Sequence, residues 1–242
     1  MMVAALSLIV LSQAPGQVST ATEKVGESPR TFVLELKLGP YTPLLNETRL
    51  PELGENDPGL YARFFNNEPM LMGELGLEYM VWKKFGTLTV GASVAYAEKF
   101  KRGIIEATGA PAEQSTGIRV LTIRPTLAYR FDWAALKYNV PLVPYVKAQF
   151  VAMPFWFIDG NKLSNYQGIP GQGFAYGVAG TAGLSFMLDF LDQRLARDFD
   201  SSIGVNHTYL FAEFSFQETV RQQATSLNFS SRHWLFGLAF DL

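Results

Sequence analysis

Two histidines are the side chains of this sequence best suited to acid–base chemistry, because the imidazole ring changes its charge near neutral pH. His233 stands beside Ser230, Ser231 and Arg232, and histidine with serine is a combination that acyl hydrolases use. His207 is expected at the end of a strand, hydrogen-bonded locally. No acyl-hydrolase motif accompanies either histidine. The favoured interpretation therefore assigns no catalytic residue, with His233 as the candidate if the chain is an enzyme.

The sequence offers little to a metal ion or a cofactor. It contains no cysteine, which excludes disulfides, thiolate metal sites and a lipid-anchored cysteine, and two histidines give metal chemistry little to work with. The formal net charge of −2 and the lack of a basic cluster give no indication of nucleic-acid binding. We expect no metal, no cofactor and no nucleic-acid partner.

Charged residues recur at positions that alternate with apolar ones. In these segments every second residue is aliphatic or aromatic, and none of those residues is ionised. A repeat of two is the period of a β-strand, whose side chains point to opposite faces. Each segment therefore has an apolar face and a polar face. The charged residues of the polar faces are Glu35, Lys37, Glu74, Glu78, Arg124, Arg130, Lys147 and Glu213.

Eight segments show this alternation and are predicted to be strands. They are Thr31–Leu38, Met70–Trp82, Thr87–Phe100, Ile118–Phe131, Val143–Phe157, Gly173–Leu188, Thr208–Phe216 and Arg232–Leu242. Long loops are expected at 42–69, 101–117 and 158–172. Within 189–204, Leu191, Leu195 and Phe199 recur every four residues and predict a short amphipathic helix.

The composition favours a membrane environment. Hydrophobic residues make up 48% of the chain and charged residues only 17%, against about 25% in soluble domains. No uncharged apolar run of about 18 residues follows the N-terminal segment, so no transmembrane helix is predicted. A barrel with an apolar outer face requires lipid around it. We therefore predict an all-β fold: an eight-stranded antiparallel up-and-down transmembrane β-barrel with one short periplasmic helix.

An eight-stranded barrel is barely wide enough inside for its own side chains. The inward-facing charges comprise four glutamates and four lysines or arginines, and unpaired charges in so narrow a space would be costly. We therefore expect a salt-bridged network that largely plugs the lumen. The small residues expected to make room for the lysine and arginine side chains are Gly91, Ser93, Ala95, Gly177, Ala179 and Gly183.

Aromatic residues near the strand ends are expected to form belts at the two membrane interfaces. One belt is predicted from Tyr79, Trp82, Phe85, Tyr129, Phe131 and Trp133. The other is predicted from Phe155, Trp156, Phe157, Phe174 and Tyr176. Two such belts, one at each end of the barrel, fit a barrel that spans the bilayer.

The N-terminal residues predict export. Residues 3–11 form an apolar run typical of the core of a signal peptide, although no positive charge precedes it. Cleavage after Ala21 gives a signal peptide at 1–21, a polar lead-in at 22–30 and a barrel domain at 31–242. A short buried N-terminal helix or strand is the alternative.

The signal peptide, the amphipathic strands and the ending Gly237-x-x-Phe240-x-Leu242 together resemble small bacterial outer-membrane barrels of the OmpA and OmpW type. The stretches Leu188–Asp192 and Gly204–Glu213 also resemble an uncharacterised family of deltaproteobacterial outer-membrane barrels. The resemblance implies a bacterial outer-membrane location, contact with outer-membrane lipid and a monomer. It also implies that Gly237, Phe240 and Leu242 are the signal for the barrel-assembly machinery. Leu242 stands where most such barrels have phenylalanine.

Three functional hypotheses follow. The favoured one is a non-enzymatic outer-membrane barrel that acts structurally or binds ligands or the environment through long extracellular loops. The first alternative is a lipid-modifying enzyme of the deacylase or phospholipase type, because some small outer-membrane barrels modify lipids. The second is a soluble lipocalin-like carrier, which would stay soluble without detergent. A phospholipase or deacylase assay that compares the wild type with His233→Ala tests the enzyme hypothesis.

Overall fold

The barrel is seen in a computed structural model that describes residues 30–45, 59–104, 111–138, 140–166, 168–190, 204–220 and 227–242. Its long strands belong to one antiparallel sheet. They are β1 Phe32–Tyr41, β2 Met70–Lys83, β3 Thr87–Ile104, β4 Pro111–Arg130, β5 Leu142–Asp159, β6 Gln172–Met187, β7 His207–Thr219 and β8 Ser231–Asp241. Two short helices, α1 Leu60–Phe65 and α2 Trp133–Tyr138, follow β1 and β4.

The sheet closes on itself. Each strand pairs with the next one in the sequence, and β8 pairs with β1, where Val33 faces Asp241 and Leu38 faces Phe236. The predicted closed eight-stranded antiparallel barrel is thereby confirmed. Residues 31 and 242 lie at the same end of the barrel, which we call the terminal end. The opposite end, where β1 leads into the connection that contains α1, is the loop end.

All eight predicted strands are present, and the largest difference concerns the loop predicted at 101–117. β3 continues to Ile104 and β4 begins at Pro111, so most of this segment is a strand ladder. The prediction treated Gly117 as a loop residue. In the structure Gly117 faces Phe100 across the ladder, and the Phe100 ring lies over the space that a side chain would occupy.

The connections contain structure that the sequence pattern did not predict. Helix α1 lies within the loop predicted at 42–69, and α2 lies in the connection between β4 and β5. In the loop predicted at 158–172, Lys162–Leu163 pairs with the end of β5, and Asn165–Tyr166 pairs with Ile169–Pro170. No helix in the described part of the chain is long and apolar enough to cross a bilayer.

Two predictions fall wholly or largely outside the described residues. The signal peptide and all of the lead-in except Arg30 occupy residues 1–29. The helix predicted at 189–204 is described only near its ends, where Leu188–Phe190 forms a 3₁₀ turn.

The two faces of the barrel strands differ in polarity as predicted. On the outer face aliphatic and aromatic side chains are widely exposed, among them Leu38 at 58%, Leu71 at 70% and Phe150 at 70%. On the inner face charged residues are buried, with Glu35 and Arg124 each 1% exposed. The centre of the barrel is therefore polar and its outer wall apolar, the reverse of a water-soluble barrel.

The aromatic residues of the first predicted belt surround the terminal end. Trp82, Phe85, Phe131 and Trp133 are all exposed there. Tyr129 packs edge-to-face on Phe131 with ring centroids 4.7 Å apart. Tyr129 also lies near Trp82, with ring centroids 6.3 Å apart, so aromatic rings border one side of the terminal end.

The second predicted belt is only partly present. At the loop end Phe174 and Tyr176 face outward, but Phe155 and Phe157 turn inward and pack against a buried apolar cluster. The belt prediction is wrong for these two residues. They continue the inward row of β5, which includes Met153, so strand parity directs both rings into the lumen.

Candidate functional site

The inner face of the barrel carries a dense group of charged side chains, which we call the lumen network. Its members are the predicted residues Glu35, Lys37, Glu74, Glu78, Arg124, Arg130, Lys147 and Glu213. The structure brings all of them together inside the lumen, and none is more than 5% exposed. Their formal charges cancel, since four are negative and four positive.

Lys37 on β1 is one centre of the lumen network. Its Nζ lies 3.0 Å from carboxylate oxygens of Glu35, Glu74 and Glu213. Glu74 is the direct cross-strand neighbour of Lys37 on β2, whereas Glu213 reaches over from β7 on the other side of β8. Three carboxylates thus compensate a buried ammonium group that would be costly alone.

Lys147 on β5, at the opposite wall of the barrel, is the second centre. Its Nζ donates to Glu35, lies 3.0 Å from Glu78 Oε1 and lies 3.9 Å from Glu213 Oε2. Glu35 and Glu213 also contact Lys37, so the two lysines share carboxylates. The lumen network is therefore continuous from one wall of the barrel to the other.

Two arginines extend the lumen network along the barrel axis. Arg130 Nη2 lies 2.6 Å from Glu35 Oε1 on the side of the terminal end. Arg124 contacts Glu74 and donates to Gln217 Oε1 at 3.0 Å on the side of the loop end. The guanidinium groups thus connect the two lysine centres to both ends of the lumen.

Uncharged residues that the charge pattern did not reveal complete the network. The Tyr145 hydroxyl donates to Glu213 at 2.8 Å, and the Thr89 hydroxyl donates to Glu78 at 2.5 Å. Gln217, besides accepting from an arginine, donates to a backbone carbonyl. These three side chains lie on the inward rows of their strands, so strand parity is the signal that could have found them.

A second, smaller ionic group at the terminal end was not predicted as a unit. Arg30 lies 3.5 Å from Asp132 and 3.4 Å from Asp241, and the Thr87 hydroxyl donates to Asp132 at 2.6 Å. Arg30 and Asp132 come from segments predicted as lead-in and connection. Strand parity gives no information about side chains in such segments.

Glycines on neighbouring strands provide space inside the lumen. Gly183 faces Glu213 across the β6–β7 ladder, and a methyl group at Gly183 would overlap the ring of Tyr145. Gly183 was predicted to make room for a lysine or arginine side chain. It makes room for an aromatic ring, which in turn donates to the glutamate that Gly183 faces.

A buried apolar cluster lies inside the loop end of the barrel, and we call it the loop-end cluster. Helix α1 contributes Tyr61 and Phe65, at 1% and 3% exposed, and the Tyr61 hydroxyl donates to the Glu68 carbonyl at 2.7 Å. Strand residues such as Met70 and Met153 pack in the same cluster. Helix α1 thus directs apolar side chains into the barrel from its loop end.

His233 lies inside the barrel at the loop end. Its Nδ1 is 3.0 Å from Ser231 Oγ, and its ring packs edge-to-face on Tyr41 with centroids 5.4 Å apart. Its Nε2 has no hydrogen-bond partner among the described residues. Within the part of the chain that the structure describes, neither ring nitrogen is bonded to a carboxylate that would orient it as a general base.

His207 lies at the terminal end, at the start of β7. Its Nδ1 is 2.6 Å from Asp189 Oδ2, and Asp189 Oδ1 accepts from the backbone N–H of Thr208 at 3.1 Å. Both interactions tie the 3₁₀ turn after β6 to the first residues of β7. His207 is therefore part of a local strand-end structure.

The predicted assembly residues lie in the pairing between β8 and β1. Gly237 faces Lys37, and Phe240 faces Leu34 on the outward row. The backbone of Leu242 exchanges hydrogen bonds with Phe32. All three residues thus contribute to the strand pair that closes the barrel.

The lumen network consists of matched charges whose carboxylates are all paired, while the Nε atoms of Arg124 and Arg130 have no hydrogen-bond partner among the described residues. In the described part of the chain, no three His, Asp, Glu or Cys side chains are grouped so that they could hold a metal ion. The carboxylates are engaged by ammonium, guanidinium and hydroxyl donors, which leaves them acting as acceptors. Chemically the arrangement suits cross-linking of the strands inside the barrel.

Comparison with known proteins supports the fold. No protein-family model and no curated protein sequence matches the chain. Among solved structures, Neisserial surface protein A is similar with a TM-score of 0.50 and 11% identity, over 87% of this chain and 97% of that chain. The resemblance to small outer-membrane barrels expected from the sequence is thus confirmed for the fold.

Two further solved structures are similar with lower TM-scores. The attachment invasion locus protein of Yersinia pestis, solved with the heparin analogue sucrose octasulfate, has a TM-score of 0.43 and 9% identity, over 88% of this chain and 97% of that chain. The N-terminal β-barrel domain of Pseudomonas aeruginosa OprF has a TM-score of 0.38 and 11% identity, over 88% and 98% of the respective chains.

Proposed function

We propose that this chain is an integral protein of a bacterial outer membrane, with a non-enzymatic structural or ligand-binding role. The observation that carries the proposal is the polarity of the barrel wall. Leu38, Leu71 and Phe150 are more than half exposed on the outside, while the charged residues face inward. In water such a wall would be a large apolar surface of the kind that soluble monomers avoid, whereas in lipid it is solvated.

Membrane fractionation of a Gram-negative host tests this proposal. The protein is expected in the outer-membrane fraction after a urea wash, to require detergent for extraction, and to migrate differently in gels before and after heating. Recovery of a monomer that stays soluble without detergent would refute the proposal and support a soluble carrier. The exposed apolar wall argues against that carrier.

We further propose that the lumen is closed to large solutes. The support is the position of the side chains: the lumen network spans the lumen from β1 to β5, and the loop-end cluster lies above it. In planar bilayers the purified protein should show no stable, large, nonselective conductance. A wild-type conductance of that kind would show that the network is not a plug.

The ending of the chain is proposed to guide assembly. Phe240 lies on the outward row of β8, and replacing it by alanine would leave the lumen network untouched. We expect Phe240→Ala to lower the amount of folded protein in the outer membrane of cells, while the purified variant still refolds in detergent. If the variant yields equally less folded protein in cells and in detergent, Phe240 acts only through the stability of the barrel.

A further inference from the structure

A pocket at the terminal end of the barrel is lined by residues other than those of the lumen network. It has a volume of about 410 Å³ and opens between the β2–β3 turn and helix α2. The residues that line it include Arg30, Lys83, Lys84, Asp132, Trp133 and Lys137. Its size falls within the range of pockets that hold small ligands.

The pocket carries an excess of positive charge. Four cationic side chains and one carboxylate, that of Asp132, line it. Arg30 is compensated by Asp132 at 3.5 Å and by Asp241 at 3.4 Å, so the excess charge belongs to the three lysines. Among the described residues, no carboxylate forms a salt bridge with Lys83, Lys84 or Lys137. The unbalanced charge favours an anionic ligand.

The lysines converge on the pocket from two different elements. Lys83 donates to the backbone carbonyl of Arg30, which fixes its direction. Lys137 holds its Nζ 5.0 Å from the centre of the Trp133 ring and 5.4 Å from that of Tyr138. Cation–π contacts of this kind keep an ammonium group oriented without neutralising its charge.

The surroundings of the pocket indicate where the anion comes from. Exposed aromatic rings border it, with Phe85 at 71% and Tyr138 at 60% exposed, next to Trp82, Phe131 and Trp133. Aromatic rings at the end of an apolar barrel wall lie at the depth of lipid headgroups. The pocket therefore lies where phosphate groups of lipids are concentrated.

From the charge and the position we propose that this pocket binds the phosphate of an anionic phospholipid, taken from the membrane leaflet at the terminal end. The proposal rests on the proposed membrane-spanning function. Dissolved phosphate has the same chemistry as the headgroup, so the experiment must separate the two sources.

The test uses the full chain, refolded in a neutral detergent and checked by its heat-dependent gel migration. Phosphatidylglycerol or phosphatidylcholine is added in small amounts, and retained lipid is counted by native mass spectrometry. The pocket variant is Lys83→Gln/Lys84→Gln/Lys137→Gln. The control, Lys99→Gln/Lys101→Gln/Lys162→Gln, removes the same number of lysines at the loop end.

We expect the wild type and the control to retain phosphatidylglycerol in preference to phosphatidylcholine. The pocket variant should bind phosphatidylglycerol about 100-fold more weakly, because each lysine at an anionic surface contributes roughly a fivefold factor. The Trp133→Phe variant should show less tryptophan quenching by brominated phosphatidylglycerol than the wild type, because Trp133 is the one of the four tryptophans that lines the pocket.

Several results would overturn the proposal. Equal retention of the two lipids, or equal loss in the pocket variant and the control, would remove the pocket as a lipid site. Displacement of the lipid by inorganic phosphate at equal concentration would assign the site to a soluble anion. If the protein fails to enter bilayers at all, the membrane-spanning function fails and the lipid site fails with it.

Discussion

At the scale of single residues, Lys37 shows how the lumen network contributes to stability. Its ammonium group lies 3.0 Å from three carboxylates, and none of these groups is exposed to water. A buried charge that loses its partner retains the cost of desolvation without the compensating attraction. The network is therefore more sensitive to the loss of one member than an exposed ion pair.

We predict that Lys37→Met destabilises the barrel by about 3–5 kcal/mol, because it leaves carboxylates uncompensated. The exposed pair of Arg119 and Glu98, at 3.3 Å, provides the control, and Arg119→Met should cost less than about 1 kcal/mol. The double variant Lys37→Met/Glu213→Gln should recover part of the loss because it restores the charge balance. Urea unfolding in detergent measures all three. Equal losses of unfolding free energy for Lys37→Met and Arg119→Met would show that the buried network contributes no more to stability than an exposed ion pair.

Gly183 provides a second test at this scale. A methyl group at this position would overlap the ring of Tyr145 and displace its hydroxyl from Glu213. Gly183→Ala should therefore cost about 1–3 kcal/mol. Gly180 on the same strand has open space where its side chain would be, so Gly180→Ala should be nearly neutral. Comparison of the urea midpoints of the two variants tests this prediction. An unchanged stability of Gly183→Ala would mean that the Tyr145 ring moves aside without cost.

The identity of the network residues was accessible from the sequence, but their pairing was not. Alternation along each strand places Lys37 and Glu213 on inner faces, because side chains of a strand alternate between two sides. Their contact depends on how β7, β8 and β1 are shifted along one another. Alternation within a strand contains no information about that shift. The ion pair between Arg30 and Asp132 is still harder to predict from the sequence, since neither residue lies in a strand.

At the scale of elements, helix α1 connects the loop end with the lumen. The helix is only six residues long, too short for its periodicity to stand out in a polar segment. Tyr61 and Phe65, four residues apart, both point into the loop-end cluster. After the helix, Glu68 pairs with Lys99 at 2.8 Å, and the hydrogen bond and charge of Lys99 lower the pKa of Glu68. The segment is thus attached to β3 as well.

The hydroxyl of Tyr61 makes this element sensitive to alkaline pH. Burial, and to a lesser extent the Glu68 carboxylate, raise the pKa of Tyr61 to about 12. A raised pKa means that the contribution to stability is complete below the unfolded value near 10 and is lost as the pH rises through about 12. Between pH ~9 and ~12 the wild type should lose up to about 2–3 kcal/mol more stability than Tyr61→Phe.

Urea unfolding at several pH values measures this difference. Tyr138→Phe serves as the control, because Tyr138 is 60% exposed and its removal should leave the alkaline loss of the wild type in place. If Tyr61→Phe and the wild type lose stability in parallel, the hydroxyl of Tyr61 does not link helix α1 to pH.

At the scale of the whole molecule, the pairing of β8 with β1 decides whether a barrel exists. Removing residues 231–242 would leave β1 and β7 with unpaired edges, which pair readily with other chains. We predict that this variant aggregates or is degraded and yields no heat-modifiable species. Replacing residues 161–170 by a short Gly–Ser turn keeps all eight strands and should preserve the folded band on gels. A folded seven-stranded form would contradict the prediction.

The same pairing has a consequence for the order of events in folding. Val33 faces Asp241 across the β1–β8 ladder, so the pairing that closes the barrel joins residues near the two limits of the described chain. Neighbouring strands such as β2 and β3 meet through a short turn and can form early, whereas closure requires ordering nearly the whole chain first. Closure is thus expected to be slow, and until it occurs the chain exposes two unpaired strand edges that can pair with other chains. A cell that exports such a chain must keep it from aggregating throughout that interval.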